Sequence, residues 1–191
     1  MSLEVITGPM FAGKTSELIR LVERAVYAKK RAGIFKPALD KRYSESEVVT
    51  HNGLRYQAYV IPTNEEGIKI IQQLADKLDV IGIDEIQFFP LEVVKLCEKL
   101  ADQGKRIIVS GLNLDFRGEP FEVIAELLVR ADSIYYLTAV CTICGREATR
   151  TQRLIDGNPA PYDSPRIMVG GKELYEARCR FHHVVPGKPR T

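Results

Sequence analysis

The stretch that decides the fold reads GPMFAGKT and comprises Gly8, Pro9, Met10, Phe11, Ala12, Gly13, Lys14 and Thr15. The spacing G-x-x-x-x-G-K-T is that of a P-loop, whose backbone N–H groups surround the phosphates of a nucleotide. In such a loop the lysine, here Lys14, bridges the β and γ phosphates of ATP, and the hydroxyl of Thr15 holds Mg²⁺. An ordinary glycine-rich turn has no need for Lys-Thr after its second glycine. The sequence therefore predicts an ATP-binding loop.

The residues around this loop have the pattern that a P-loop requires. The apolar run at residues 3–7 predicts a strand before the loop, and the residues from Ser16 onward predict a helix after it. The inward face of that helix is predicted to carry Leu18, Leu21, Val22, Ala25 and Val26.

Length and composition restrict the kind of protein. A chain of 191 residues fits one α/β domain of about 150 residues with a small appendage. The 27 basic and 25 acidic residues form no basic block, which argues against a nucleic-acid partner. No signal sequence and no apolar run of about 18 residues is present, so we expect a cytoplasmic protein with no membrane partner. The four cysteines then favour metal ligands or core thiols over disulfides.

The apolar pattern of the next residues predicts more of the same α/β domain. Strands are predicted at residues 33–37, 54–61, 79–83, 106–111 and 133–138, and helices at residues 91–103, 121–129 and from residue 65. Unbroken apolar runs such as residues 80–83 are typical of strands buried on both faces of a parallel sheet. Cys97 lies on the apolar face of its helix, which indicates a buried, unreactive thiol.

Polar residues 40–51 predict a loop at the sheet edge where ligands bind in such folds. Within it, Arg42 is either a phosphate contact or a solvated loop arginine. His51 is interpreted as a loop residue, because no metal-binding partner lies at short spacing from it.

Two carboxylates, Asp84 and Glu85, follow the strand at residues 79–83. Asp84 fits the acidic residue that accepts a bond from Thr15 or from a Mg²⁺-bound water in P-loop proteins. Glu85 lies on the other side of the strand end and can face a substrate as a general base. An exposed strand-end carboxylate is the alternative for Glu85.

Residues 112–121 form a loop that carries two leucines and two aromatic residues. Apolar side chains in a loop at the ligand edge of a sheet suggest a pocket that stacks a flat ring. The alternative is that Phe116 and Phe121 anchor the loop to the core.

The last third of the chain contains a C-x₂-C and a C-x₂-H pair. The four residues Cys141, Cys144, Cys179 and His182 suit a tetrahedral, structural Zn²⁺ site that is closed at four ligands. His183 is an alternative fourth ligand. The insert at residues 154–171 is poor in helix signals, and loops of that length are usually functional.

Together these motifs resemble the type II thymidine kinases, a family of tetrameric cytosolic enzymes of bacteria and animals. The resemblance rests on the P-loop, on DEIQFF at residues 84–89, on DFRGEPF at residues 115–121, on the zinc ligands and on residues 169–175. It implies a P-loop (RecA-like) α/β domain at residues 1–138 and a zinc-binding domain at residues 139–191 that carries a lasso loop over the nucleoside. It also implies a homotetramer, feedback by dTTP, and Mg²⁺-ATP-dependent phosphorylation of thymidine, giving dTMP in nucleotide salvage, and of deoxyuridine.

The resemblance also assigns residues. Glu85 becomes the base for the 5′-hydroxyl. The ATP side gains Asp40, Lys41, Arg42 and Gln87. The nucleoside pocket is implied to be lined by Met10, Phe88, Leu112, Phe116, Phe121, Thr151 and Tyr175. The lasso is implied to bind the base through the main chain of Arg166, Ile167, Met168, Val169 and Gly170.

Two positions depart from the family pattern. Asn113 stands where bacterial members often have Asp, and Phe181-His182 stands where others show a second C-x-x-C or a C-x-x-C-H ending. The second departure bears on the fourth zinc ligand.

Other functions remain alternatives on the sequence alone. A P-loop ATPase or regulatory switch acting on a macromolecular partner would use Glu85 to polarise water. A GTPase would need an N-K-x-D motif, which this sequence lacks. A zinc-ribbon nucleic-acid binder is disfavoured, because the zinc-ligand region has no clustered basic face.

Overall fold

The computed structural model describes residues 1–38, 47–49, 55–168 and 174–189, and for residues 47–49, 55 and 56 it describes only the backbone. The first eight strands in chain order are β1 (Ser2–Gly8), β2 (Ala32–Pro37), β3 (Glu47–Val49), β4 (Arg55–Gln57), β5 (Tyr59–Ile61), β6 (Val80–Ile83), β7 (Arg106–Leu112) and β8 (Ser133–Tyr136). Six of them form one sheet in the order β5-β2-β6-β7-β1-β8, in which every neighbouring pair is parallel. The predicted parallel α/β fold is confirmed.

One predicted strand is wrong in its extent. Residues 54–61 do not form a single strand, because the chain changes partner at Ala58. Before Ala58, β4 pairs with β3 in an antiparallel hairpin, and after it β5 joins β2 in the main sheet. Local composition does not show where a segment changes partner.

Helices cover both faces of the main sheet. They are α1 (Lys14–Tyr27), α2 (Glu65–Ala75), α3 (Glu92–Asp102) and α4 (Glu122–Arg130). Helix α1 packs on one face, where Leu18 contacts the core around Ile34. The other three helices pack on the opposite face, where Ile71 and Val93 join one large apolar cluster. Both faces of the sheet can be apolar because the pleat directs successive strand residues to opposite faces.

Local sequence explains where helix α2 starts. Asn64 caps α2, because its side chain accepts bonds from the N–H groups of Glu66 and Gly67. Helix α1 begins at Lys14, two residues earlier than predicted. Val26 is 45% exposed, so its predicted burial is wrong; it lies in the last turn of α1, and Ile19 is buried instead.

Cys97 in α3 is fully buried, as predicted. Burial, together with the nearby charge of Glu98, raises the pKa of its thiol to about 12. The thiol is therefore protonated and unreactive at neutral pH.

The remaining strands form small antiparallel sheets. They are β9 (Ala139–Val140), β10 (Glu147–Ala148), β11 (Arg150–Ile155), β12 (Asn158–Pro159) and β13 (Tyr175–Arg178). Strands β9 and β10 form a hairpin, and β11 lies between β12 and β13. Their shared core is small, and it includes Cys141 and Cys179. Among the helices that the structure describes, none combines the length and the apolar character needed to cross a membrane.

Candidate active site

Three strands of the main sheet deliver the candidate site to one edge. Gly8 at the end of β1 is paired with Leu112 at the end of β7, and β7 is also paired with β6. Because these strands are parallel, the residues that follow them meet at their carboxyl ends. The P-loop, the Asp84-Glu85 pair and the loop at residues 112–121 therefore share this edge.

The P-loop depends on glycine at both ends. Gly8 has a φ of 150°, and a Cβ at that position would lie 2.2 Å from the carbonyl oxygen of Leu137. Gly13 has a φ of 83° and precedes the first turn of α1, whose free N–H groups are suited to bind phosphate. Any side chain at Gly8 would displace the loop.

Lys14 lies inside the P-loop rather than in solvent. Its ammonium group donates to the carbonyl oxygen of Pro9 at 2.7 Å. Burial lowers the pKa of Lys14, while the charges of Glu85 and Asp84 oppose that shift. The cation is thus held where the phosphates of a P-loop nucleotide lie.

Asp84 binds the P-loop directly. The hydroxyl of Thr15 donates to one carboxylate oxygen at 3.1 Å, and the hydroxyl of Ser110 donates to the other. Burial and then the charge of Glu85 raise the pKa of Asp84 to about 6. A hydroxyl and a buried carboxylate are oxygen donors of the type that Mg²⁺ prefers, so these two residues fit the ion.

Glu85 adopts a backbone conformation that is unusual for a non-glycine residue. Its φ of 49° and ψ of 43° are left-handed, and it begins a 3₁₀ turn at Ile86–Phe88. Such strained positions concentrate at functional sites. The carboxylate accepts a bond of 2.5 Å from the side-chain amide of Gln87, whose carbonyl oxygen accepts from the N–H of Leu112. Gln87 therefore fixes the carboxylate beside the P-loop.

The loop at residues 112–121 is organised by a buried carboxylate. Asp115 accepts bonds of 2.9 Å from the N–H groups of Arg117 and Glu119. Phe121 belongs to the main core cluster, as in the alternative in which it anchors the loop. Phe116 is only 2% exposed.

The four predicted metal ligands, three cysteines and His182, come together in one cluster. Their candidate ligand atoms all lie within 4.8 Å of one another, and the sulfurs of Cys144 and Cys179 are 3.9 Å apart. Bonds of about 2.3 Å from tetrahedral zinc place two sulfurs roughly 3.8 Å apart. Burial raises the pKa of Cys141, but hydrogen bonds from backbone N–H groups and from His182 lower it to about 5. The cluster therefore fits Zn²⁺.

His183 does not belong to this cluster. Its Nε2 atom lies 2.8 Å from the carbonyl oxygen of Phe116, whereas Nδ1 of His182 lies 3.4 Å from the sulfur of Cys179. Of the two histidines that the sequence left open, His182 is placed to bind the metal.

Comparison with known proteins agrees with this architecture. The sequence model of the family described as thymidine kinase matches residues 1–183. A thymidine kinase of Thermococcus kodakarensis is 66% identical over 186 residues, which cover 96% of this chain and 94% of the relative. A thymidine kinase of Pyrobaculum aerophilum is 56% identical over 96% of this chain and 99% of the relative. One of Coprothermobacter proteolyticus is 53% identical over 99% of this chain and 93% of the relative.

The chain belongs to the thymidine kinase family. Met10 and Thr151, two of the residues that the family resemblance assigned to a nucleoside pocket, are in direct contact. The N–H of Met10 donates to the hydroxyl of Thr151 at 3.0 Å, which ties the P-loop to β11. Phe11 and Ala12 also pack against the core around the zinc ligands. Phe88 and Leu112 are half-buried.

Of the segment that the family resemblance assigned to the lasso, the structure describes residues 166–168, and the last of these contacts Tyr175. Arg166, Ile167 and Met168 are exposed, while Tyr175 is buried and donates to the carbonyl oxygen of Met168 at 2.5 Å. Several predicted residues lie outside the described part of the chain, namely Asp40, Lys41, Arg42, His51, Val169 and Gly170.

Sequence reasoning missed three side chains of the candidate site. Ser110 binds Asp84, His183 binds the loop carbonyl of Phe116, and the guanidinium of Arg153 lies 4.1 Å from the centre of the Phe116 ring. Ser110 could have been found as the polar residue inside an apolar strand. Arg153 has no comparable signal, because its strand also contains Thr151 and Gln152.

Proposed function

We propose that this protein transfers the γ-phosphate of ATP to the 5′-hydroxyl of thymidine, giving dTMP for pyrimidine deoxynucleotide salvage, and that it also phosphorylates deoxyuridine. The observation that carries the proposal is the arrangement of Lys14, Thr15 and Asp84 beside Glu85, in a chain that belongs to the thymidine kinase family. One side of this edge has the groups that bind a triphosphate, and the other has a carboxylate that can take a proton.

Phosphoryl transfer requires alignment and charge stabilisation more than covalent help from the protein. Lys14 would stabilise the charge that develops on the transferring group. Thr15 and Asp84 would hold Mg²⁺, which supplies further positive charge at the phosphates when bound. Glu85 would accept the proton of the 5′-hydroxyl as the new P–O bond forms, with Gln87 keeping its carboxylate in place.

The remaining ATP contacts are proposed to come from the other P-loop residues, from Gln87 and from a loop beyond β2. That loop contributes Asp40, Lys41 and Arg42. Arg42 would add a second cation near the transferring phosphate, where developing charge is stabilised most effectively.

The nucleoside pocket is proposed to hold the base between the lasso main chain and apolar side chains. The side chains are Met10, Phe88, Leu112, Phe116, Phe121, Thr151 and Tyr175, and the main-chain groups are those of Arg166, Ile167, Met168, Val169 and Gly170. Main-chain bonds to the base select thymine or uracil over cytosine, whose donors and acceptors at N3 and C4 are reversed. Closure over the site would also keep water from the γ-phosphate.

The broader properties of the protein are part of the same proposal. We propose domains at residues 1–138 and 139–191, supported by the start of the small sheets at Ala139, with a structural Zn²⁺ in the second. A cytoplasmic homotetramer that is inhibited by dTTP is proposed from the family alone.

One assay tests the function. Protein is incubated with γ-labelled ATP, Mg²⁺ and thymidine, with deoxycytidine in place of thymidine as the matched control. The expected result is label on thymidine, little on deoxycytidine and little free phosphate. Release of free phosphate without labelled nucleoside would contradict the proposal and favour an ATPase.

A further inference from the structure

Arg153 is a charged side chain in the interior of the protein. It is 2% exposed and ranks first by volume among the fully buried side chains. Across residues 1–38, 57–168 and 174–189, no ion pair joins its guanidinium to a carboxylate. A buried charge is costly unless other groups compensate it, so its partners indicate its role.

Those partners belong to the lasso. The guanidinium donates to the carbonyl oxygen of Pro165 and, at 2.9 Å, to that of Arg166. It also donates to the hydroxyl of Tyr175 at 2.8 Å, and this hydroxyl in turn donates to the carbonyl oxygen of Met168. One side chain therefore fixes three main-chain carbonyls, two directly and one through Tyr175.

Arg153 also contacts the loop at residues 112–121, which follows β7 of the main sheet. Its guanidinium lies against the ring of Phe116, which follows β7 at the edge that carries the P-loop. The lasso has a second attachment to the same loop, because Arg166 donates to Asp115 at 2.8 Å and to the carbonyl oxygen of Pro120 at 2.7 Å. Of the two arginines that make these attachments, Arg153 is buried and Arg166 is exposed.

A hydrogen bond that fixes a main-chain carbonyl also fixes the direction of the N–H group in the same peptide unit. The peptide bond is planar and trans, so its N–H points opposite to its C=O. When Arg153 binds the carbonyls of Pro165 and Arg166, the N–H groups of Arg166 and Ile167 are fixed in the opposite direction. A lysine cannot do this as well, because it lacks the planar fork of donors.

We propose that Arg153 is a positioning residue, which sets the main chain of residues 165–168 for binding a pyrimidine nucleoside and thereby controls affinity for the nucleoside rather than for ATP. The inference rests on the proposed function.

The test compares Arg153→Lys with Arg150→Lys. Arg150 begins the same strand and is half-buried, and within the described part of the chain its guanidinium donates to its neighbour Thr149. We expect Arg153→Lys to raise the KM for thymidine about tenfold or more, since each lost charge-assisted bond weakens binding by roughly that factor. The KM for ATP should stay within about twofold. Arg150→Lys should leave both values unchanged.

A wild-type KM for thymidine in Arg153→Lys, or equal increases for both substrates, would overturn the inference. If that variant fails to fold, as judged by zinc content and thermal unfolding, Arg153→Gln decides instead. Its amide can donate to only some of the acceptors that Arg153 binds, so a raised KM for thymidine with an unchanged KM for ATP supports the inference, and an unchanged KM for thymidine overturns it. Failure of the wild-type protein to label thymidine would instead reject the proposed function itself.

Discussion

The two sides of the candidate site are built in different ways. On the P-loop side, Asp84 and Glu85 follow β6 directly, and Lys14 begins the helix that follows β1. On the lasso side, Arg153 holds carbonyls 12 and 13 residues away, and His183 contacts a carbonyl 67 residues away. The first side is positioned by the ends of regular elements, and the second by single side chains that bridge distant segments. A substitution should therefore affect chemistry on the first side and nucleoside binding on the second.

The largest effect is expected from Glu85→Gln. Glutamine keeps the size of the side chain but cannot accept the proton, so kcat should fall about 10²- to 10⁴-fold. The thermal midpoint should not change, because the hydrogen bond to Gln87 can be kept by the amide oxygen. Steady-state kinetics and thermal unfolding measure both, and Glu92→Gln, at the start of α3, is the control. An unchanged kcat would remove Glu85 from the role of base.

Asp84→Asn should increase the stability of the protein at neutral pH while it lowers the activity. The folded-state pKa of Asp84 is about 6, above its ordinary value of 3.8, so the folded protein binds this proton more tightly than the unfolded chain. The contribution of Asp84 to wild-type stability should therefore fall as the pH rises from about 4 to 6 and remain lower above that range. Asparagine does not titrate, so the variant should gain up to about 3 kcal/mol at pH 7.5, and this gain should shrink toward pH 4.

The same variant should lose activity about 100-fold, because it cannot supply a carboxylate to the metal. Urea unfolding at both pH values without Mg²⁺ or ATP measures the first effect, and the kinase assay measures the second. Thr15→Ser, which keeps the hydroxyl bonded to Asp84, is the control. A stability difference that is the same at pH 4 and pH 7.5 would show that Asp84 is not the titrating group.

The contrast between the two sides also explains what the sequence could predict. The P-loop, the acidic pair and the parallel sheet follow from spacing along a few residues, and the structure brings Thr15 and Asp84 together as expected. The division of residues 54–61 into β4 and β5 and the burial of Arg153 depend on partners that are remote in sequence. No local pattern contains that information, and an arginine inside a strand ordinarily predicts exposure.

The cluster of Cys141, Cys144, Cys179 and His182 was predictable for the same reason as the P-loop, since each pair of these residues has a short, fixed spacing. The two-residue spacing favoured His182 over His183 without deciding between them, since both lie within four residues of Cys179. The structure separates them, because Nδ1 of His182 lies 3.4 Å from the sulfur of Cys179, whereas His183 contacts the carbonyl oxygen of Phe116.

Removal of zinc should affect nucleoside binding more than ATP binding. The proposed zinc ligands connect the hairpin of β9 and β10 to the residues that follow β13, the strand that begins with Tyr175. We expect chelation to raise the KM for thymidine about tenfold. The KM for ATP should rise less, because the P-loop meets this core through Phe11 and Ala12, whereas Lys14 and Thr15, which are proposed to act on the phosphates and Mg²⁺, belong to α1. Added Zn²⁺ should restore both values. Equal increases for the two substrates would argue that the zinc core supports both sides of the site alike.

The smallest effect is expected from His183→Ala, and it is the most direct test of the fourth zinc ligand. The variant loses one hydrogen bond to the carbonyl oxygen of Phe116, which corresponds to about 1 kcal/mol of stability and a two- to tenfold rise in the KM for thymidine. Zinc content should be unchanged. His183→Gln, whose amide can donate to the same carbonyl, should recover most of the loss, whereas His182→Ala should lose the metal. Metal analysis of the three purified variants measures this, and loss of zinc from His183→Ala would transfer the ligand role to His183.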